Sequence, residues 1–401
     1  MAKKKHNNRT YKNVNIVQDF TIQDLYKAYY DCRRRKRNSR YAIEFEYNLE
    51  SNMRKLYDEL KSGEYKIGRS ITFVVLIPKP REVWAASFRD RIVHHLVYNA
   101  IKDRFYNHFI KDTFSCIPER GTLHAARQVE KYAQAITNNY SKKAYYLKAD
   151  LKNFFVTIDK DILCKLLLKK VPEAWLRGLI KKIVYHSPKK DVVVQSAKWK
   201  FNLLPPHKSL WNAKTGKGLP IGNLTSQFFS NVYLNELDQY VKHKLKCKYY
   251  CRYVDDFVIL AESAQELNYF YKEIAKFIYE NLMIEIHRDK KTINIVSNGI
   301  DFVGYTIKPN RFFLRKRTLR DIFRVVNRYR SEFYMLSENI LEWLYYVFNS
   351  YLGMLQCVKG YNLRRKLCDM VTYPYFYAEK DFTSIKKAFN LKRLWEYTGE
   401  A

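Results

Sequence analysis

Residues 249–260 read YYCRYVDDFVIL, and this stretch decides the fold. Tyr249 to Val254 and Phe257 to Leu260 alternate or run apolar, rich in aromatic and β-branched types, while Asp255 and Asp256 fall between them. The pattern predicts a hairpin with two carboxylates at its tip. Taken alone, such a tip is commonly just a polar turn. A second acidic site changes its meaning: AYYLKADL is another apolar strand, and Asp150 ends it. Neither strand needs charge there for solubility. Carboxylates from two neighbouring strands can hold a pair of Mg²⁺ ions about 3.5 to 4 Å apart, an arrangement that performs in-line displacement at phosphorus.

The surrounding composition narrows the substrate. Of 401 residues, 47% are apolar, which excludes general disorder and leaves room for two or three lobes with real cores. Lys and Arg number 73 against 40 Asp and Glu, so the formal charge is +33 and a large polyanion is the natural partner. Tyr, Phe and Trp suit base and sugar stacking as well as core packing. Seven scattered cysteines do not form a disulfide framework and fit a reducing cytosol. Cys247 and Cys251 lack a second Cys or His pair at finger-like spacing and read as buried strand cysteines rather than a zinc site. With no long apolar run and no secretory segment, a soluble cytoplasmic protein with no membrane partner is expected.

Outward from the hairpin, residues 1–40 carry twelve Lys or Arg against three Asp. Within them Thr21 and Asp24 form a capping box for a short amphipathic helix that runs into the cluster Arg33 to Arg37. The run reads as a phosphate-contacting arm or a solvated face. ITFVVLIPKP predicts a strand closed by Pro78 and Pro80, and the spacing of Ile92, Val93, Leu96, Val97, Ile101 and Phe105 predicts a helix from about Phe88 to Phe109. Residues 187–217 read as an irregular insertion, followed by the helical stripe of LTSQFFSNVYLNELDQYVKHKL. Short strands are expected in MIEIH and DFVGYTI. RFFLRKRTLRDIFRVVNRYR sets Arg317, Arg320, Arg324 and Arg328 opposite Leu319, Ile322, Val326 and Tyr329, and the rest to residue 401 reads as helical and aromatic.

In chain order, Asp150 with Phe154 and Phe155, GLPIGNLTSQ (218–227), YVDD (253–256) and FVGY (302–305) resemble a reverse transcriptase. Upstream, IPKPREVWAASFRDRIVHHLV and FSCIPERGTLHAA are similar to the fingers blocks of group II intron-like bacterial enzymes. The resemblance covers roughly residues 45–310. It implies an α/β (α+β) right-hand polymerase fold with fingers, a palm built on an antiparallel sheet, and a helical thumb. The corresponding divisions are a basic extension 1–60, fingers 61–149, palm 150–310 with its insertion, and thumb 311–401.

Carried over residue by residue, the resemblance makes Asp150 and Asp255 ligands of two Mg²⁺, with Asp256 a ligand or an electrostatic support. Phe155 falls at the steric gate against a ribose hydroxyl, or packs in the core, where Phe154 is placed. Lys79 and Arg81 fall on the hairpin that contacts the triphosphate, or are plain surface bases. Lys290 sits near the lysine that can protonate pyrophosphate, although Lys291 is adjacent. His94 and His95 are assigned to template contact or packing. Partners implied are template RNA, a primer or cDNA strand and deoxynucleoside triphosphates.

The segment Ile221, Gly222, Asn223, Leu224, Thr225, Ser226, Gln227 departs from the common form, which reads Gln-Gly, then any three residues, then Ser-Pro. Ile221 replaces the Gln and Gln227 the Pro. In this it resembles the enzymes of diversity-generating retroelements, which copy a template-repeat RNA with frequent errors at adenine. That resemblance implies a small basic accessory protein as a further partner. Two other readings are a group II intron-type or host-defence reverse transcriptase, and an RNA-binding protein with a dead polymerase fold, against which the intact Asp150, Asp255 and Asp256 argue.

Overall fold

The structure, a computed structural model, describes residues 19–34, 36–76, 79–332, 337–372 and 375–388. The basic residues before position 19, Arg35, and Pro78 at the expected strand end lie outside the described residues. The chain divides into two compact units, one of residues 1–109, 153–236 and 279–284, the other of 110–152, 237–278 and 285–401.

The elements begin with α1 (Ile22–Arg33), α2 (Arg40–Glu46), α3 (Leu49–Ser62), β1 (Ser70–Val75), β2 (Arg81–Ala85), α4 (Phe88–Tyr106) and α5 (Thr122–Ile136). Next come β3 (Tyr145–Asp150), the single turn α6 (Phe154–Thr157), α7 (Lys160–Leu168), α8 (Ala174–Tyr185), β4 (Val192–Val194), α9 (Lys198–Asn202) and α10 (Leu224–Gln239). β5 (Tyr249–Tyr253), β6 (Asp256–Ala261), α11 (Ala264–Leu282), β7 (Thr292–Ile295), β8 (Ile300–Phe302), β9 (Tyr305–Lys308) and β10 (Arg311–Leu314) follow. The chain continues with α12 (Lys316–Glu332), α13 (Glu338–Gln356), α14 (Tyr361–Val371), β11 (Phe376–Ala378) and β12 (Ile385–Lys387).

In the first unit α1 starts at the expected box: the Thr21 hydroxyl accepts from the Asp24 N–H, and the Asp24 carboxylate accepts from the Thr21 N–H. Its buried stripe of Leu25, Ala28, Tyr29 and Cys32 packs on α4. Asp90, fully buried at the start of α4, accepts from the Tyr65 hydroxyl, the Ser87 hydroxyl and the Gly68 N–H, so both of its side-chain oxygens are hydrogen-bonded. Further along α4, Tyr98, Phe105 and Tyr106 set their rings edge-on around Phe228 of α10. β1 and β2 form the expected antiparallel pair.

The insertion 187–217 is less irregular than its composition implies. β4 pairs parallel to β1, with Ser70 opposite Val192. Buried Glu82 of β2 accepts from the Ser209 hydroxyl and from the Leu210 N–H at 3.2 Å. Three valines are too short a run to announce a strand; the open edge of β1 makes them one.

The second unit holds the sheet β5-β6-β3-β7, antiparallel throughout. β6 is its central apolar strand, with Phe257 to Ala261 buried. Beneath it α5 presents Ala125, Ala126, Val129 and Ala133, small side chains that let the helix come close. A second sheet, β8-β9-β10, takes RFFL away from the following helix: Phe312 and Leu314 are buried while Arg311 and Phe313 are exposed, a period of two. In α12, Ile322, Val326 and Tyr329 are buried, and the Tyr329 ring meets Phe348 of α13 edge-on. The hairpin β11-β12 interrupts a stretch expected to be helical, tied to α13 where Asn349 bonds both the N–H and the carbonyl of Ile385. Of MIEIH only Ile286 pairs, as a single bridge to Leu151. Among the described residues no helix is long and apolar enough to cross a membrane.

Candidate active site

Asp150 ends β3, and its register partner is Asp256, the first residue of β6. Directly opposed residues of an antiparallel pair rise from the same face, so the two carboxylates share one side of the sheet. Tyr253 pairs with Asp256 across the hairpin, leaving Val254 and Asp255 as a two-residue loop. Val254 has a φ of 55°, a left-handed conformation that costs a non-glycine residue about 1–3 kcal/mol and persists only when its surroundings enforce it. The Leu151 N–H donates to the Asp255 carbonyl at 3.1 Å, and on the other side of β3 the His287 N–H donates to the Asp150 carbonyl at 2.8 Å. Backbone contacts thus fix the acidic positions from both flanks.

Cations face these carboxylates. Lys148, two residues before Asp150 and on the same face, brings its Nζ to 3.8 Å from the Asp256 carboxylate. Burial raises the Asp256 carboxyl pKa above the ordinary aspartate value; Lys148 opposes that rise and Asp255 adds to it. The Lys290 ammonium lies on the Asp150 carboxylate. Its neighbour Lys291 goes elsewhere, donating to Asn268 at 2.9 Å and lying 4.0 Å from the Tyr271 ring centroid. Lys148 belongs to no motif and is absent from the sequence-based candidates, although a lysine two positions before a strand-end aspartate must share its face.

The first unit holds further candidates. Phe154 is buried, while Phe155 is half-buried and meets it edge-on. Lys79 and Arg81 are exposed at the β1–β2 turn. The segment 218–227 docks on β2: the Trp84 N–H donates to the Ile221 carbonyl at 2.6 Å, and the Ala86 N–H to the Asn223 side chain at 2.9 Å. Gly222 has a φ of 131°, and a Cβ there would stand 2.7 Å from the Trp84 carbonyl oxygen, so glycine is required by both space and conformation. The Ile221 side chain is half-buried, and Gln227 is exposed on α10. His94 is a packing residue, its ring 2.5 Å from the Thr225 hydroxyl, and burial holds its pKa down at about 3, so it is neutral. Cys247 and Cys251, in the second unit, are buried thiols.

All four arginines of α12, Arg317, Arg320, Arg324 and Arg328, are exposed. Asp321 engages Arg324 at 2.8 Å and Arg317 at 3.9 Å. Surface pairs of this kind contribute about 0.2–1 kcal/mol. In the N-terminal cluster Arg33 is held by Glu46 at 2.6 Å.

Among the described residues no three His, Cys, Asp or Glu side chains converge as a ready-made ion cage. Mg²⁺ does not need one, since it keeps several waters and binds through one or two carboxylates plus substrate phosphates. Asp150, Asp255 and Asp256 offer hard oxygen donors only, and the ammonium groups of Lys148 and Lys290 already mark the place as one that takes positive charge. The residues present fit that ion.

Residues 77–307 match the family described as reverse transcriptase (RNA-dependent DNA polymerase). Protein YkfC of Escherichia coli (strain K12) is 24% identical, over 69% of this chain and 75% of that protein. The group II intron-encoded protein LtrA of Lactococcus lactis subsp. cremoris is 22% identical, over 69% of this chain and 53% of LtrA, so the chain spans about half the length of that relative. Among solved structures, telomerase from Candida albicans in complex with a fragment of telomeric RNA aligns with a TM-score of 0.43 and 13% identity, over 79% of this chain and 63% of that one. The mixed helices and antiparallel sheets agree with the right-hand polymerase class that the family match implies. With more than half its length matched, including both acidic sites, the chain belongs to the reverse transcriptase (RNA-dependent DNA polymerase) family and is a nucleotidyltransferase.

Proposed function

We propose that the chain copies RNA into DNA, adding deoxynucleotides to a primer 3′ end, as an enzyme of the lineage that includes group II intron-encoded proteins. The observation that carries this reading is the register of Asp150 opposite Asp256 with Asp255 at the hairpin tip between them. The 3′-hydroxyl gives its proton to water and attacks the α-phosphorus; a new P–O bond forms in line as the α–β P–O bond breaks, its electron pair leaving with pyrophosphate. Two Mg²⁺ ions, when bound, supply the positive charge that acidifies the hydroxyl and steadies the leaving group. Asp150 and Asp255 would hold that charge in place, with Asp256 a further ligand or an electrostatic support, and Lys148 balances the Asp256 carboxylate. Lys290 leaves Asp150 and gives its proton to pyrophosphate. Lys79 and Arg81 receive the triphosphate, Phe155 closes the space a 2′-hydroxyl would need, and the arginines of α12 bind backbone phosphates. Fingers, palm and thumb are assigned to residues 61–149, 150–310 and 311–401, after a basic extension.

The test is the double variant Asp255→Ala/Asp256→Ala. Primer extension on an RNA template should fall to background while RNA binding, spread over many Lys and Arg, is retained. Persisting extension would sink the reading.

The segment 221–227 favours a second, finer reading, in which the template is a repeat RNA copied with errors at adenine and a small basic protein assembles with the enzyme. Its support is Ile221 in place of Gln and Gln227 in place of Pro; the intron-encoded relatives favour the broader reading. Ile cannot hydrogen-bond the incoming nucleotide, so matched and mismatched pairs differ less in transition-state binding. Ile221→Gln should lower misincorporation opposite template adenine. An unchanged error spectrum in an active variant would remove this reading and leave the first.

A further inference from the structure

Arg252 stands two residues before the left-handed Val254, and both it and Asp238 are completely buried. The guanidinium grips Asp238 with two parallel bonds, Nε to Oδ1 at 2.7 Å and Nη2 to Oδ2 at 2.5 Å. Asp238 also accepts from the hydroxyls of Tyr250 and Thr113, each at 2.7 Å. The third nitrogen, Nη1, donates to the Val254 carbonyl at 2.9 Å. Backbone bonds lock the same residue: its N–H donates to the Asp112 carbonyl and its carbonyl accepts from the Phe114 N–H, both at 3.0 Å.

A buried ion pair is weak evidence for stability, since well-packed apolar residues often serve as well. No apolar residue, however, can hold a carbonyl in a chosen direction. The peptide between Val254 and Asp255 is where direction matters, because its plane sets where the Asp255 side chain points.

The geometry points to Arg252 as the positioning residue of the catalytic turn: anchored on Asp238, it holds the Val254 carbonyl, stabilises the left-handed backbone and so aims the Asp255 carboxylate. The role of Asp255 rests on the polymerase reading above, whereas the clamp on the turn does not.

Arg252→Lys tests it, because an ammonium can neutralise Asp238 but cannot grip both of its oxygens and the Val254 carbonyl together. Amide exchange at residues 253–256 should rise about tenfold, with residues 258–260 as protected as in the parent. The kcat for primer extension should fall about tenfold or more while KM for the nucleotide stays within about twofold, as for an interaction expressed in the transition state. Adding Val254→Gly, which relieves the left-handed strain, should restore part of the missing kcat. Should Arg252→Lys fail to fold, Arg252→Met with Asp238→Leu removes the clamp without stranding a charge and is read the same way. Unchanged exchange at the turn in a folded variant overturns the proposal, as does a kcat loss that Val254→Gly leaves untouched. A parent that does not extend primers would instead refute the polymerase reading, and the exchange measurement would still judge the clamp.

Discussion

The Lys290 ammonium rests on the carboxylate of Asp150, the residue that ends β3. Under the proposed reading, lysine and divalent cation would compete for one carboxylate. Lys290→Gln should lower the Mg²⁺ concentration for half-maximal extension, because Asp150 is released. The same change should reduce kcat by about a hundredfold, the lower range for losing a general acid. A Mg²⁺ titration of both enzymes on one RNA template reads both effects, and parallel titration curves would show that the ion pair does not form in solution.

Burial makes Asp256 a cost to the resting fold. Its folded pKa lies above the ordinary 3.8, so the native state binds this proton more readily than the unfolded chain does. Its stability contribution is whole below that ordinary value and is lost as pH rises through the raised one. In metal-free buffer, Asp256→Asn should melt higher than the parent at pH 7, the gap closing as pH falls toward 4, while extension is strongly reduced. Thermal melts across that range check the sign.

Phe155→Ala should open space beside the sugar. Ribonucleotide incorporation should rise about tenfold or more relative to deoxyribonucleotide, since exclusion by a ring is steric and needs no hydrogen bond. Primer extension with each nucleotide pool measures it, and an unchanged preference in an active variant would move the gate elsewhere.

On α12, neutralising Arg317, Arg320, Arg324 and Arg328 should weaken binding to every RNA sequence. The slope of log affinity against log salt should become shallower by about 0.7 to 0.9 for each phosphate that the variant no longer neutralises. Asp321→Asn should act oppositely, because it frees Arg317 and Arg324 from their half-buried partner. Identical slopes for all three proteins would make this face merely solvated.

The acidic hairpin, the strand ending in Asp150, the capped α1 and the two-faced α12 were legible because each is written in local pattern. What stayed hidden depends on partners distant in sequence. Val192 to Val194 become a strand through β1, and RFFL turns from helix to strand because β9 offers it an edge. Lys290 is distinguished from Lys291 by which side of the chain faces Asp150, information that adjacent residues cannot carry. The clamp at Arg252 joins positions 113, 238, 250 and 252, and no spacing rule connects them.

The pairing of β4 with β1 bears on any attempt to trim this enzyme. Residues 187–217 look dispensable, yet β4 covers the outer edge of an apolar strand, SITFVV, whose other edge is taken by β2. Deleting the insertion would expose a row of unpaired backbone groups beside Val and Ile side chains, a template for strand addition between copies. A shortened enzyme would thus be expected to aggregate before its chemistry failed, and a Lys or Pro placed on β1 would be the remedy to engineer alongside the deletion.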